Sequence, residues 1–259
     1  MKKLSMLCLA LMAVLNGFAW GQKGHDIVAY IAENHLTEQT AQRVAEVLGG
    51  RSLVYYANWM DNASNTPEYA YSKTWHYMNI DEGETLETQP RQANGDILTA
   101  IDSIVKNIQK GKLSPAEETD QLRMLIHLVG DMHCPMHAGR STDRGGNRVK
   151  VLYFNRETNL HSIWDSSLVE SAHNWSYSEW QFQIDRCADV FVQQVQQGSP
   201  EEWFMQTVAI AKKIYEVTPE GTRISYPYLN AMTPVIEQQL LLGGLRLAGL
   251  LNTLYGVAK

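Results

Sequence analysis

Leu125-Ile126-His127-Leu128-Val129-Gly130-Asp131-Met132-His133-Cys134-Pro135-Met136-His137 is the stretch that decides how this chain folds. His127 and Asp131 stand four residues apart among Leu122, Leu125, Ile126, Val129 and Met132, and Pro135 follows closely. That spacing predicts the last two turns of a buried helix, stopped by the proline. Positions i and i+4 share a helical face, so an imidazole and a carboxylate point the same way from an apolar element. His137 sits just past the helix end, on backbone whose direction Pro135 restricts. Unpaired polar groups are costly inside a core, so three of them here point to a bound metal ion.

Outward from this stretch the chain reads as mostly helix. Trp20 to Leu36 carries Ile27, Val28, Ile31 and Ala32 at helical spacing. Thr37 caps a second helix, Glu38 to Leu48, which Gly49-Gly50 ends. Leu53 to Met60 is apolar and aromatic and leads to Asp61; Asn62 to Lys73 is a polar loop, and Trp75 to Ile80 carries His76. Asp96 to Gln109 is amphipathic, and Ser114-Pro115 starts the helix that ends at Asp131. Arg148 to Phe154 alternates and is the one strand expected, pairing with a return near Asn159. Leu160 to Val169, Trp175 to Gln197, Pro200 to Val217 and Pro234 to Tyr255 read as helices, the last apolar all round. The expected fold class is all-α: one helical domain with at most one short β-hairpin.

The first nineteen residues have the pattern of a secretory signal: Lys2 and Lys3, an apolar run from Leu4 to Leu15, and small residues at Gly17 and Ala19. Cleavage after Ala19 leaves residues 20–259 as the domain, for export to the periplasm or the exterior. The formal charge of -6 then becomes -8, because the segment carries two lysines and no acid. So acidic a chain would ordinarily argue against a nucleic-acid partner. Cys134 and Cys187 remain after cleavage; they form one disulfide, or Cys134 stays a buried free thiol.

Five of the eight histidines recur in one context: His25, His76, His127, His137 and His161. His161 repeats the central device, with Asp165 four residues on. Imidazole with carboxylate suits zinc, and without thiolate pairs a four-cysteine structural site is excluded. Either His-x₃-Asp pair alone would read as a satisfied core histidine. Two pairs, a histidine after a proline stop and Asp61 before an aromatic-rich loop make that plainer reading hard to hold.

Trp20-Gly21-x-x-Gly24-His25 at the new N-terminus, Trp59-x-Asp61, His76 followed by an aromatic, His127-x₃-Asp131-x₅-His137, Gly145-Gly146-Asn147 and Asn159-Leu160-His161-Ser162-x-Trp164-Asp165 together resemble the trinuclear-zinc single-strand nucleases, typified by fungal nucleases and plant bifunctional nucleases. That family shares a helical fold with zinc phospholipases C. The resemblance implies three zinc ions and nine ligand residues. Trp20 (through its free α-amino nitrogen and carbonyl oxygen), His25 and Asp131 would hold one ion. Asp61, His76, His127 and the other Asp131 oxygen would hold a second, and His137, His161 and Asp165 a third. It further implies hydrolysis of single-stranded RNA or DNA to 5′-phosphate products, and of 3′-nucleotides, without a stable protein partner or membrane insertion.

In this resemblance Asp131 and Asp61 carry the catalysis, Asp61 orienting the nucleophile, and Asn147 donates to phosphate. Tyr77 matches the family's base-stacking aromatic, although a buried core tyrosine is an equal reading. Asn79 stands where an aspartate often reads the base edge. Ser64 stands where the fungal enzymes carry a basic residue, a role Arg144 could take. Arg140, Arg144, Arg148 and Lys150 read equally as a solvated edge or as phosphate contacts. His35, His133 and His173 match no ligand position. The rival readings are a zinc phospholipase C-like phosphodiesterase and a non-catalytic zinc-binding protein. The Trp20–His25 spacing and Asp at position 165 favour the nuclease.

Overall fold

The computed structural model describes residues 20–256. The expected signal, residues 1–19, lies outside the described residues. Twelve α-helices are ordered around α6, Pro115–Met132, which contains the central stretch. The helix starts on a capping box: Ser114 Oγ accepts the Glu117 N–H, and the Glu117 carboxylate accepts the Ser114 N–H at 2.8 Å. Glu117 and Glu118 in the first turn complement the helix dipole. Beyond Gln121 every residue but Arg123 is buried, so this helix has no solvent face for most of its length. It packs against α1 (Gln22–Asn34), α2 (Glu38–Val47), α3 (Leu53–Tyr56), α4 (Trp59–Ala63) and α5 (Ile97–Lys110).

The expected starts largely hold. Thr37 accepts the Thr40 N–H, Asp96 caps α5 by accepting the Thr99 N–H, and Gly111 ends α5 in the left-handed conformation. The hairpin is present as β1 (Lys150–Tyr153) paired antiparallel with β2 (Arg156–Asn159), Lys150 opposite Asn159. A third strand, β3 (Arg223–Ile224), adds parallel to β1. Two residues are too few to show a strand period, so the sequence carries no signal for it.

Three expected helices differ. Leu160 to Val169 is α7 (Leu160–Ser162), a π-helical turn (Ile163–Ser167) and α8 (Leu168–Ala172). Trp175 to Gln197 is broken at residues 185–188 into α9 (Tyr177–Ile184) and α10 (Asp189–Val195). After α11 (Pro200–Val217), the last helix α12 (Tyr226–Tyr255) begins well before Pro234. Pro234 removes the N–H that Asn230 would receive, but both residues are exposed, so water can satisfy the carbonyl. The two cysteines are free, Cys134 buried and Cys187 partly so.

α12 closes over α1 and α6 through small residues: a Cβ at Gly244 would meet Ile31 at 2.5 Å. Its Arg246 is buried without a carboxylate partner, donating instead to Gln206, to the Val195 carbonyl and to His133 Nε2 at 3.0 Å. His133 Nδ1 donates to the Val129 carbonyl at 2.8 Å. Burial and the neighbouring guanidinium push the His133 pKa down from 6.5 to about 3. The unfolded imidazole therefore takes up its proton near pH 6.5 and the folded one only near 3, so this site's stabilisation is full above about pH 6.5 and falls as the pH drops towards 3. His133→Gln, which can still accept from Arg246 but does not titrate, will lose less stability than the unsubstituted protein between pH 6.5 and 4 in parallel denaturation series. Identical acid slopes would refute this.

Candidate metal centre

Seven segments deliver the nine expected ligand residues. Trp20 lies fully buried just before α1, and Gly21 N–H donates to the Asp165 carbonyl, tying this end of the chain to the π-helical turn. α1 brings His25, α4 brings Asp61, and the segment after the 3₁₀ turn Ala70–Ser72 brings His76. α6 brings His127 and Asp131, and the 3₁₀ turn Pro135–Ala138 brings His137. α7 and the wide turn after it bring His161 and Asp165. Such π-turns recur at functional sites because they rotate a side chain out of helical register.

Asp131 sits at the middle with no exposed surface. Its Oδ2 lies 2.9 Å from His76 Nδ1 and 3.2 Å from His127 Nε2. Its Oδ1 faces the other way, 3.2 Å from His25 Nε2 and 3.8 Å from His137 Nδ1. Asp61 Oδ1 lies 3.4 Å from His127 Nε2. His25 stacks on His127 with ring centroids 4.0 Å apart. Potential ligand atoms converge within 4.8 Å in three groups: His25, His127 and Asp131; Asp61, His76 and His127; Cys134, His137 and Asp165.

Hydrogen bonds to backbone fix the tautomers. His127 Nδ1 donates to the Ala57 carbonyl at 2.7 Å, His137 Nδ1 to the His76 carbonyl at 2.6 Å, and His161 Nδ1 to the Gly145 carbonyl at 2.8 Å. A carbonyl can only accept, so each Nδ1 carries a proton and each Nε2 is the nitrogen that a metal would take. His137 Nε2, Asp131 Oδ1, Asp165 Oδ1, His76 Nε2 and both nitrogens of His25 are buried without a hydrogen-bond partner. His137 Nε2 and Asp165 Oδ1 face each other at 3.9 Å, too far apart for a hydrogen bond. So many buried imidazole and carboxyl groups turned towards one another without partners fit a cation, and imidazole with carboxylate is the donor set for a divalent transition metal.

The protonation pattern agrees. Burial lifts the Asp131 carboxyl, but His127 and His137 outweigh it and hold it well below the usual range. Burial depresses His127, yet Asp131 and Asp61 hold it well above an ordinary histidine. Burial, together with Asp131 and Asp61, pushes Asp165 well up. Burial and then His127 lower His25 to about 4. A metal entering here therefore displaces protons from His127 and Asp165, which makes its binding pH-dependent.

The third group has Cys134 where the expected set, His137, His161 and Asp165, has His161. Burial, with Asp165 beside it, raises the Cys134 thiol well above its usual range, so it keeps its proton and fills space. His161 is close by, its ring stacked on His137 with centroids 5.2 Å apart.

A cavity of about 590 Å³ opens over the centre. Asp61, His76, His137 and His161 line it, and so do Tyr77, Asn79, Arg144 and Asn147, all four residues expected to meet substrate. Asn79 Oδ1 is buried and unpartnered. One N–H of the Asn147 amide is engaged by the Arg144 carbonyl at 2.9 Å. The loop bearing Arg144 to Asn147 is held by Asp143, which accepts from the Gly146 N–H at 2.6 Å and from the Tyr215 hydroxyl at 2.9 Å. Gly145 has φ +62°, and a Cβ there would meet the Met136 carbonyl at 2.5 Å. His35, His133 and His173 lie apart, bonded to Asp185, Arg246 and Glu237.

Residues 20–256 match the S1/P1 nuclease profile. The chain belongs to the S1/P1 nuclease family. It is similar to Endonuclease 3 of Arabidopsis thaliana, 27% identical across 97% of this chain and 94% of that protein. It is similar too to Nuclease P1 of Penicillium citrinum, 26% identical across 92% and 98%. To Nuclease S1 of Aspergillus oryzae it is 31% identical over a shorter span, 60% of this chain and 56% of that one. An S1/P1 nuclease is a hydrolase of phosphodiester bonds.

Three contributors to this nuclease site escaped the sequence reading. Lys73, placed in a polar loop, lines the cavity and makes no ion pair with the described residues. Asp143 is one acid in a basic loop, and its partner Tyr215 is 72 residues away. Gly130 had a signal: glycine inside a helix costs about 1 kcal/mol relative to alanine. A Cβ there would lie 2.7 Å from His25 Nδ1. Gly130→Ala should therefore improve helix propensity yet displace the His25 ring. The expected result is metal retention weakened about tenfold or more, measured by competition with a chelator, with thermal stability of the stripped protein undiminished. Unchanged metal affinity would show that His25 takes no part.

Proposed function

We propose that the chain, cut after Ala19, is an exported nuclease that cleaves single-stranded nucleic acid and 3′-nucleotides to 5′-phosphate or nucleoside products at a centre of three zinc ions. The observation that carries this is the pair of Asp131 oxygens, one turned to His25 and the other to His76 and His127. The Trp20 α-amino and carbonyl groups, His25 and Asp131 would hold one ion; Asp61, His76, His127 and Asp131 a second; His137, His161 and Asp165 a third. No helix among the described residues is long and apolar enough to cross a membrane.

Zinc bound there would supply Lewis-acid stabilisation for phosphate oxygens and for the departing oxygen. The protein's own groups do the rest. Asp61, with His127 beside it, orients the attacking water. Arg144 and Lys73, neither paired with an acid among the described residues, give the cavity wall positive charge on an otherwise acidic protein and draw the phosphodiester in. Asn147 offers an amide N–H to phosphate. Tyr77 offers a ring to one unpaired base, and a cavity of about 590 Å³ has the size of a small-ligand site rather than of a duplex groove. Asn79 presents an amide edge to that base, so both a donor and an acceptor face it. The cations at Lys73 and Arg144 weigh against the non-catalytic reading, which rested on the missing base at Ser64 and the amide at Asn79.

The Trp20 ligand exists only after processing, because an amide nitrogen in the uncut chain cannot take the place of an amine. Chains of residues 1–259 and 20–259, purified in parallel, test this by metal analysis and by release of acid-soluble nucleotides from single-stranded DNA and RNA. The processed chain is expected to hold three zinc ions and cleave, and the uncut chain to hold fewer and turn over at least about tenfold more slowly. Equal zinc content and equal rates would remove Trp20 from the ligand set.

A further inference from the structure

Between Asn65 and His76 the chain leaves the cavity wall and returns to it: Ser64 and Asn65 line the cavity at one end, Lys73 and His76 at the other. The excursion carries Tyr69, Tyr71 and Trp75. Their rings touch in sequence, Trp59 to Tyr69 at 5.0 Å, Tyr69 to Tyr71 at 6.5 Å and Tyr71 to Trp75 at 5.2 Å. Tyr71 is 47% exposed, although its neighbours on both sides are packed against the core.

We propose that this segment is a second nucleotide-binding surface, on which Tyr71 stacks the base adjoining the one in the cavity and Lys73 meets the intervening phosphate. The proposal rests on the nuclease reading of the cavity and extends it to the strand that leaves it.

The segment is built to hold an exposed ring still. Ser72, fully buried, donates from Oγ to the Tyr69 carbonyl at 2.8 Å, and three successive turn bonds run from Ser72, Lys73 and Trp75 N–H to Tyr69, Ala70 and Ser72 carbonyls. Tyr69 donates its hydroxyl to Asp120 at 2.7 Å, and Trp75 donates its indole N–H to the Asn94 carbonyl at 2.7 Å. The flanking rings are thus tied down at their polar ends. Tyr71 has no hydrogen bond to its hydroxyl, and its plane is fixed by the near-perpendicular packing on Trp75. A half-exposed aromatic held in place has little to gain from folding; it gains when a base covers it, and stacking on an aromatic tolerates any base.

Charge points to the same occupant. Lys73, two residues on and on the cavity wall, has no carboxylate partner. Of the two acids near Tyr71, Asp120 is already engaged by Tyr69 and by Arg123 at 3.4 Å, and Glu68 is exposed to solvent. Tyr71 stands two residues from Lys73, a cation on the cavity wall, and base and phosphate alternate along a single strand in the same way.

The test compares two ligands on the zinc-loaded protein: a labelled twelve-nucleotide phosphorothioate single strand, followed by fluorescence anisotropy, and a nucleoside 3′-phosphorothioate as a competitor that fills the cavity alone. Tyr71→Ala is expected to weaken the twelve-mer about fivefold or more while the mononucleotide changes less than about twofold, and Tyr71→Phe, which keeps the ring, to restore the twelve-mer. Lys73→Ala is expected to reduce the slope of log affinity against log salt for the twelve-mer by about 0.7, one phosphate contact on a single strand. Unaltered twelve-mer affinity in Tyr71→Ala, or equal losses for both ligands, would overturn the proposal. Hydrolysis of the unmodified twelve-mer by the unsubstituted protein reads the nuclease proposal separately, because the binding measurements need no turnover.

Discussion

A single buried carboxylate sets the terms for the rest of this protein. Asp131 has no exposed surface, and its two oxygens face two different sets of histidines. An isolated carboxylate in such a place would be neutral, because desolvation disfavours its charged form. Here the histidines around it reverse that tendency. The arrangement is self-consistent only as a cluster: remove the imidazoles and the carboxylate takes a proton, remove the carboxylate and the imidazoles lose their common counter-charge. Buried charge networks of this kind are retained for what they bind rather than for stability.

The fold can be understood as the means of holding those groups without freedom. From Leu122 to Met132 α6 is buried except at Arg123, so its two buried polar residues, His127 and Asp131, are held by the packing around them. Three of the histidines at the centre are locked through Nδ1 to backbone carbonyls that lie outside α6, at Ala57, His76 and Gly145. Each such bond fixes both the ring plane and the tautomer, as expected for preorganised metal ligands. The loop that supplies Gly145 is in turn braced by Asp143 and Tyr215. The site is therefore made by contacts between segments remote in sequence, while its central pair comes from one helix turn.

That division explains what could be read before the structure. The His127–Asp131 pair, the proline stop and the repeated device at His161–Asp165 are local, and local periodicity reveals them. Capping residues are likewise local, and Thr37, Asp96 and Ser114 stand where helices begin. Elements whose shape is set by tertiary contacts were not legible. β3 is only two residues long and exists by pairing with β1. The π-turn keeps an apolar helical composition and differs only in its hydrogen-bond register. The start of α12 was masked by Pro234, which a helix tolerates when the freed carbonyl is in water. The bracing of Asp143 by Tyr215, the closeness of Gly130 to His25 and the place of Lys73 on the cavity wall depend on partners far along the chain.

The account makes Asp131 the one ligand shared by two ions, and metal stoichiometry in Asp131→Asn tests that directly. The amide keeps the side chain's shape but offers one acceptor oxygen in place of two. With helicity verified by circular dichroism, native mass spectrometry of the processed chain should show three zinc ions in the unsubstituted protein and one in the variant, the ion held by His137, His161 and Asp165. A variant that keeps two or three ions would contradict the shared-carboxylate account.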